Sequence, residues 1–121
     1  MNSKIQSFTD LIAWKKAHQL VIDIYTLTKK FPKEEMFGIT NQIRRAAISI
    51  SSNIAEGFSR RSKSEKRQFY YTSLGSLTET QNLLLVSRDV GYCNNNLFQK
   101  LAKQTIEVAK LDRGLISVVE A

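Results

Sequence analysis

The chain has 121 residues, 42% of them hydrophobic, which is enough for one packed core and too little for two of ordinary size. Its single cysteine excludes an internal disulfide framework and a zinc-ribbon site, and no apolar run approaches the roughly 20 residues that cross a bilayer. Lys and Arg number 18 against 11 Asp and Glu; the net charge of +7 favours an anionic partner without naming it. The segment from Met1 to Asp10 lacks a charged-then-apolar signal pattern, so a cytoplasmic location is expected.

The single Pro and several of the five Gly stand at segment boundaries, the punctuation of a helical protein. The spacing predicts a first helix over about 10–30, with Thr9 as N-cap and a face of Trp14, Ala17, His18, Val21, Ile24, Tyr25 and Thr28. Phe31-Pro32 ends it, because a residue before proline is pushed out of the helical region. A second helix is predicted over about 39–58. Its apolar face is Ile39, Ile43, Ala46, Ala47, Ile50, Ile54 and Phe58, and its many Ala and Ser residues permit close approach of a neighbour.

The third helix, about 63–90, has the clearest start: Ser62 and Glu65 stand at capping-box spacing. Tyr70, Leu74, Leu77, Gln81 and Leu84 form its stripe, Gly75 within it suggests close packing, and Gly91 ends it. Asn94 to Asn96 offer an N-cap for a fourth helix, about 96–119, with Leu97, Phe98, Leu101, Thr105, Val108, Leu115, Ile116 and Val119 on one face. Asp112 falls on that face and needs a partner or an end to reach. Short connections make consecutive helices antiparallel neighbours. The expectation is one all-α domain over 1–121, an up-down-up-down four-helix bundle.

The third helix carries more apolar surface than one stripe. Phe69, Tyr70 and Tyr71 are consecutive, as are Leu83, Leu84, Leu85 and Val86. Successive residues step about 100° round a helix, so Tyr71 and Leu85 flank the stripe on one side, Phe69 and Leu83 on the other, and Val86 points nearly opposite the core. Ile48 on the second helix and Ile106 on the fourth also leave their stripes. Scattered surface apolar residues are one explanation. A homo-oligomer using helices two and three is the one preferred here, with Ile48, Tyr71, Leu83, Leu85 and Val86 as interface candidates and no symmetry order implied.

Between helices two and three the chain reads Arg60, Arg61, Ser62, Lys63, Ser64, Glu65, Lys66, Arg67. Alternating helix direction puts this turn at the same end as both termini, near Lys4. It reads either as a phosphate-contacting surface, which makes Arg60, Arg61, Lys63, Lys66 and Arg67 nucleic-acid-binding candidates, or as a solvated, well-capped turn. Tyr70 and Tyr71 lie close enough to stack on bases, although packing is the commoner use of such residues. Arg44 and Arg45 are further phosphate candidates with an equal structural alternative. Arg45, Ser49, Ser52 and Glu56 share one side of the second helix, and Glu56 and Glu79 read as structural partners for arginines between helices or subunits.

Signals of catalysis are poor. His18, the lone histidine, borders the first helix's apolar face one turn from Trp14 and reads as a partly buried, satisfied side chain. Cys93 has no second Cys or His beside it in sequence, and the Glu-x-x-His motif of di-metal bundles is absent. No catalytic residue, metal site or cofactor is assigned.

Longer motifs resemble a known family. Leu11 to Ala17, Leu27-Thr28, Phe31-Pro32 and Gly38 to Thr40 match its first half. Gln42 to Ile50 and Ser52 to Gly57 form the most specific block, and Gly75 to Glu79 with Gly91-Tyr92 complete it. Together these resemble the bacterial 23S rRNA intervening-sequence proteins over roughly 8–115. The resemblance implies an up-down-up-down bundle assembled as a ring-like homopentamer. A related branch, the accessory protein of diversity-generating retroelements, works with a reverse transcriptase and binds nucleic acid. The chain departs from the pattern at Ser51, where many members have proline, and at Ser59-Arg60, within a commonly Gly-Arg turn.

The sequence therefore points to a non-enzymatic, cytoplasmic homo-oligomer without membrane contact, binding RNA or DNA through its basic surface. Its alternative is a protein-interaction adaptor for a polymerase or reverse transcriptase, with no direct nucleic-acid role.

Overall fold

The computed structural model describes residues 4–121, which form four α-helices and two short 3-10 turns with no strand among them. Helix α1 (Ile12–Thr28) starts two residues later than the predicted boundary at about 10. Thr9 does not cap it: Leu11 stands at the N-cap with no side-chain bond, and Thr9 lies in a preceding 3-10 turn capped by Ser7, whose hydroxyl accepts the Thr9 N–H at 3.0 Å. The Asp10 carboxylate accepts from the backbone N–H groups of Gln6 and Ser7 at 3.0 and 3.2 Å, closing a 3-10 turn over Phe8–Asp10. Those bonds, that from Gln6 foremost, hold the Asp10 carboxyl below its ordinary value. α1 also stops at Thr28 instead of Lys30: the Lys30 and Phe31 N–H groups bond back three residues, and Pro32 is extended.

Helix α2 (Ile39–Ser59) runs unbroken through Ser51, where the family resemblance raises a local change; the Ser51 hydroxyl donates to the Ile48 carbonyl. α2 packs most extensively on α3 (Lys63–Asp89). The small side chains are the cause. Ser73 donates to the Ile50 carbonyl at 3.0 Å, and the Ser49 and Ser76 hydroxyls meet at 2.7 Å, contacts that require the two backbones to lie close. Ser49 thus turns inward and does not extend a polar side shared by Arg45, Ser52 and Glu56.

The close approach signalled by a glycine occurs at Gly57 and not at Gly75. A Cβ on Gly57 would stand 2.6 Å from the Tyr70 ring, whereas Gly75 is exposed with open space around it. Ser62 caps α3 as its spacing predicts, accepting the Glu65 N–H at 3.1 Å. At the far end Gly91 takes φ +90°, and the Tyr92 and Gly91 N–H groups bond the Ser87 and Arg88 carbonyls, the Schellman arrangement. Asn94 then caps α4 (Asn95–Glu120) through the Leu97 N–H.

The predicted stripes meet in one core, where Leu20, Ile24, Ile43, Ile50, Ile54, Leu77, Leu84, Leu101 and Val108 are fully buried. α1 packs on α2 and α4, and α4 packs on α3. At one end the turns beyond α1 and α3 meet: Phe31 packs on Tyr92, whose hydroxyl donates to Glu35 at 2.9 Å. Outside the core Ile48, Tyr71, Leu85, Val86 and Ile106 are exposed, as expected. Leu83 departs from the surplus set and is buried in the core. Ser76, Thr80 and Ser87 on the same side of α3 are buried as well, so this helix sinks far enough into its neighbours to cover Leu83.

Candidate nucleic-acid interface

The turn between α2 and α3 carries the densest positive charge, and its five basic residues divide by what they touch. Lys66 reaches back to the Phe58 carbonyl at 2.7 Å and the Gly57 carbonyl at 3.4 Å, with its ammonium 5.5 Å from the Phe58 ring. It neutralises orphan acceptors at the C-terminus of α2, where a cation also opposes the helix dipole. The Arg60 guanidinium lies 4.7 Å over the Phe69 ring, which half-buries that ring and fixes the turn against α3. Arg67 pairs with Glu120 at 3.6 Å. Arg61 and Lys63 are exposed and make no ion pair among the described residues. The structure thus gives Lys66 a capping role and leaves Arg60, Arg61, Lys63 and Arg67 on the surface.

Arg44 and Arg45 separate in the same way. Arg44 Nε donates to Thr28 Oγ1 at 2.8 Å and its guanidinium lies 4.5 Å over the Tyr25 ring, so it ties α2 to α1. Arg45 is exposed. Glu56 and Glu79 are exposed too, and neither pairs with an arginine among the described residues.

Beside the basic turn the α3–α4 seam opens into two adjoining surface cavities. One, about 380 Å³, is lined by Lys63, Ser64, Arg67, Val119 and Glu120. The other, about 520 Å³, is lined by Tyr71, Leu74, Arg113, Ile116, Ser117, Glu120 and Ala121. Tyr71 is half exposed and donates to Glu120 at 3.3 Å, whereas Tyr70 is buried against Gly57. Sequence reasoning finds Lys63, Arg67 and Tyr71 but misses Arg113 and Glu120. These stand on the fourth helix some forty or more residues away, and only their own three- and four-residue spacing with Ile116 and Ser117 hints at a shared side.

Asp112 neither pairs nor reaches an end. It is fully buried and neither carboxylate oxygen has a hydrogen-bond partner. Burial pushes its carboxyl up to about 7, against the opposing influence of nearby Ser73 and Arg113. The Ser73 proton is already given to Ile50, so Ser73 offers lone pairs, which suit a neutral acid donating its own proton. Burial, and secondarily Asp112, also raise the Tyr70 phenol above its usual value.

His18 corrects the sequence reading: it is exposed and lies flat on Trp14, centroids 4.7 Å apart, with Phe8 edge-on to the indole. Burial raises the Cys93 thiol, which opposes thiolate formation. Among the described residues no group of three His, Cys, Asp or Glu side chains is placed to hold a metal. Among the described residues no helix is long and apolar enough to cross a membrane.

Comparison with known proteins bears on family and fold. The model of the 23S rRNA-intervening sequence protein family matches residues 9–114. A solved structure is similar over 91% of this chain and 96% of its own, with a TM-score of 0.79 and 23% identity. It is the 1.70 Å crystal structure of a protein of unknown function from the S23 ribosomal protein family of Bacteroides thetaiotaomicron. Among curated proteins none matches the sequence.

Proposed function

Because the chain belongs to the 23S rRNA-intervening sequence protein family, we propose that it is a non-enzymatic, ring-like homo-oligomer of up-down-up-down bundles, a pentamer, that binds nucleic acid through backbone phosphates. The observation that carries the nucleic-acid reading is the exposure of Arg60, Arg61, Lys63 and Arg67 together at one end of the fold. Guanidinium and ammonium groups on one surface contact successive phosphates without reading bases, so binding is weakly sequence-specific and steeply salt-dependent. Exposed Ile48, Leu85, Val86 and Ile106 support self-association, since apolar side chains left outside the core gain from a second copy. The number five comes from the family resemblance. Five copies would carry about +35, a strong field for polyanions.

The test is fluorescence anisotropy with structured RNA, single-stranded DNA and duplex DNA at about 50 and 200 mM salt, with the particle mass measured in the same sample. Micromolar or tighter binding that weakens steeply with salt, by a particle of five chains, is the expected result. Replacing Arg60, Arg61 and Lys63 by Ala should weaken binding to every nucleic acid and flatten the log–log salt slope by about 2–3, with the mass unchanged. Unchanged affinity in that variant removes the turn from the reading, and a monomeric mass removes the ring.

A protein-adaptor role, for a polymerase or reverse transcriptase, is the second reading. Its support is at the opposite end, where Phe37 is 95% exposed and Met36 and Val90 are about half exposed. An aromatic residue standing clear of the fold suits a protein groove better than a phosphate backbone. Wild-type protein that binds no nucleic acid at the lower salt, as an intact oligomer, favours this reading.

A further inference from the structure

We infer that the α3–α4 seam beside the basic turn is a groove for single-stranded nucleic acid, in which Lys63, Arg67 and Arg113 hold phosphates and the Tyr71 ring stacks on a base. The inference rests on the nucleic-acid reading above and narrows it to a strand type and a place. Lys63, Arg67 and Tyr71 recur every four residues, so they occupy one side of α3. The two seam cavities bring that side to Arg113 and Glu120 on α4.

The chemistry of the groove is divided. Its cations are exposed, while Leu74, Ile116 and Val119 beneath them are buried or half-buried and offer no charge. A phosphate gains nothing from an apolar floor or a half-exposed aromatic ring, but a base does. A duplex keeps its base faces stacked inside and offers phosphates and groove edges only, whereas a single strand offers its backbone and the π-face of each base together. Arg60, which already covers the Phe69 ring, and Arg61 line neither cavity and suit either kind of strand.

Glu120 identifies where the anion goes. It lines both cavities, its Oε2 standing 3.6 Å from Arg67 and 3.3 Å from the Tyr71 hydroxyl. An anionic oxygen thus already sits between the guanidinium and the phenol. A strand phosphate arriving at Arg67 displaces this carboxylate and frees the Tyr71 side chain to turn towards a base. Glu120 is therefore an internal competitor, and removing its charge favours the ligand. This use of Tyr71 takes it out of the apolar surface available for self-association, which leaves Ile48, Leu85, Val86 and Ile106 there.

The experiment compares fluorescein-labelled single-stranded RNA, single-stranded DNA of the same sequence and the corresponding DNA duplex, at about 50 mM salt, against wild type and three variants. Tyr71→Ala should lose about ten-fold in affinity for both single strands and change little for the duplex. Tyr71→Phe, which keeps the ring, should retain single-strand binding. Glu120→Gln should bind single strands several-fold more tightly. A difference between the RNA and DNA arms would assign the strand chemistry within the same groove. Equal losses on single strand and duplex in Tyr71→Ala would overturn the inference, as would single-strand affinity unchanged in both Tyr71→Ala and Glu120→Gln; either result leaves phosphate binding by the turn standing. Wild-type protein that binds none of the three probes removes the nucleic-acid reading itself.

Discussion

Replacing Asp112 by Asn should make this protein more stable at pH 8 and much less so near pH 4. In the folded state Asp112 is fully buried with both oxygens unpartnered, and its carboxyl is raised from 3.8 to about 7. At about 1.4 kcal/mol for each ten-fold change in proton affinity, that displacement is about 4 kcal/mol. The sign follows from which state holds the proton. Below 3.8 both folded and unfolded chains hold it, and the group has no pH-dependent effect. Between 3.8 and 7 the unfolded chain has released it while the folded chain keeps it, so stability falls as pH rises. Above 7 the folded carboxylate is ionised and the full penalty remains. Asn keeps the shape and cannot ionise, and its amide donates where the neutral acid would. The variant should therefore gain about 2–4 kcal/mol at pH 8, a rise of about 10 °C in Tm for a chain of this size, and differ by less than about 1 kcal/mol at pH 4. Circular-dichroism melts and urea unfolding across this range, at one protomer concentration because self-association shifts apparent stability, make the comparison. Parallel pH profiles for wild type and variant would refute the assignment of a neutral, buried Asp112.

Two glycines should respond in opposite directions. Gly57→Ala places a methyl 2.6 Å from the Tyr70 ring and 3.1 Å from Phe69 Cβ, and Tyr70 is buried with no room to retreat. Overpacking of about 1–3 kcal/mol should exceed the helix-propensity gain of about 1 kcal/mol, lowering the urea midpoint; a midpoint at or above wild type contradicts the close α2–α3 approach. Gly75→Ala meets open space in the middle of α3 and should stabilise by about 0.5–1 kcal/mol. A lower midpoint accompanied by loss of the oligomer would instead put Gly75 under a second copy.

The sites differed in how far they could be read from the chain. The Ser62 cap and the Gly91 stop are local: each depends on backbone groups within a few residues, and both stand where spacing puts them. Thr9 fails as a cap because it lies inside a 3-10 turn that Ser7 caps, and α1 starts beyond that turn with Leu11 at its N-cap and no side-chain bond there. Leu83 fails as a surface residue because its exposure depends on how deeply Ser76, Thr80 and Ser87 let α3 sink, which no periodicity encodes. Among the basic residues, Lys66 and Arg44 look no different in sequence from Lys63 and Arg45. What separates them is a carbonyl or an aromatic ring supplied by another helix.

From sequence alone came four amphipathic segments, the ends of all but the first, most of the core and a surplus of positive charge, because helix period, capping and composition are properties of neighbouring residues. The tertiary structure decided which charges are spent on the fold and which face solvent, that Leu83 is buried, and that Asp112 sits without a partner. It also set Arg113 and Glu120 beside Lys63 and Arg67. Each of those outcomes depends on the distance between side chains on different helices, which packing fixes only after the helices have met.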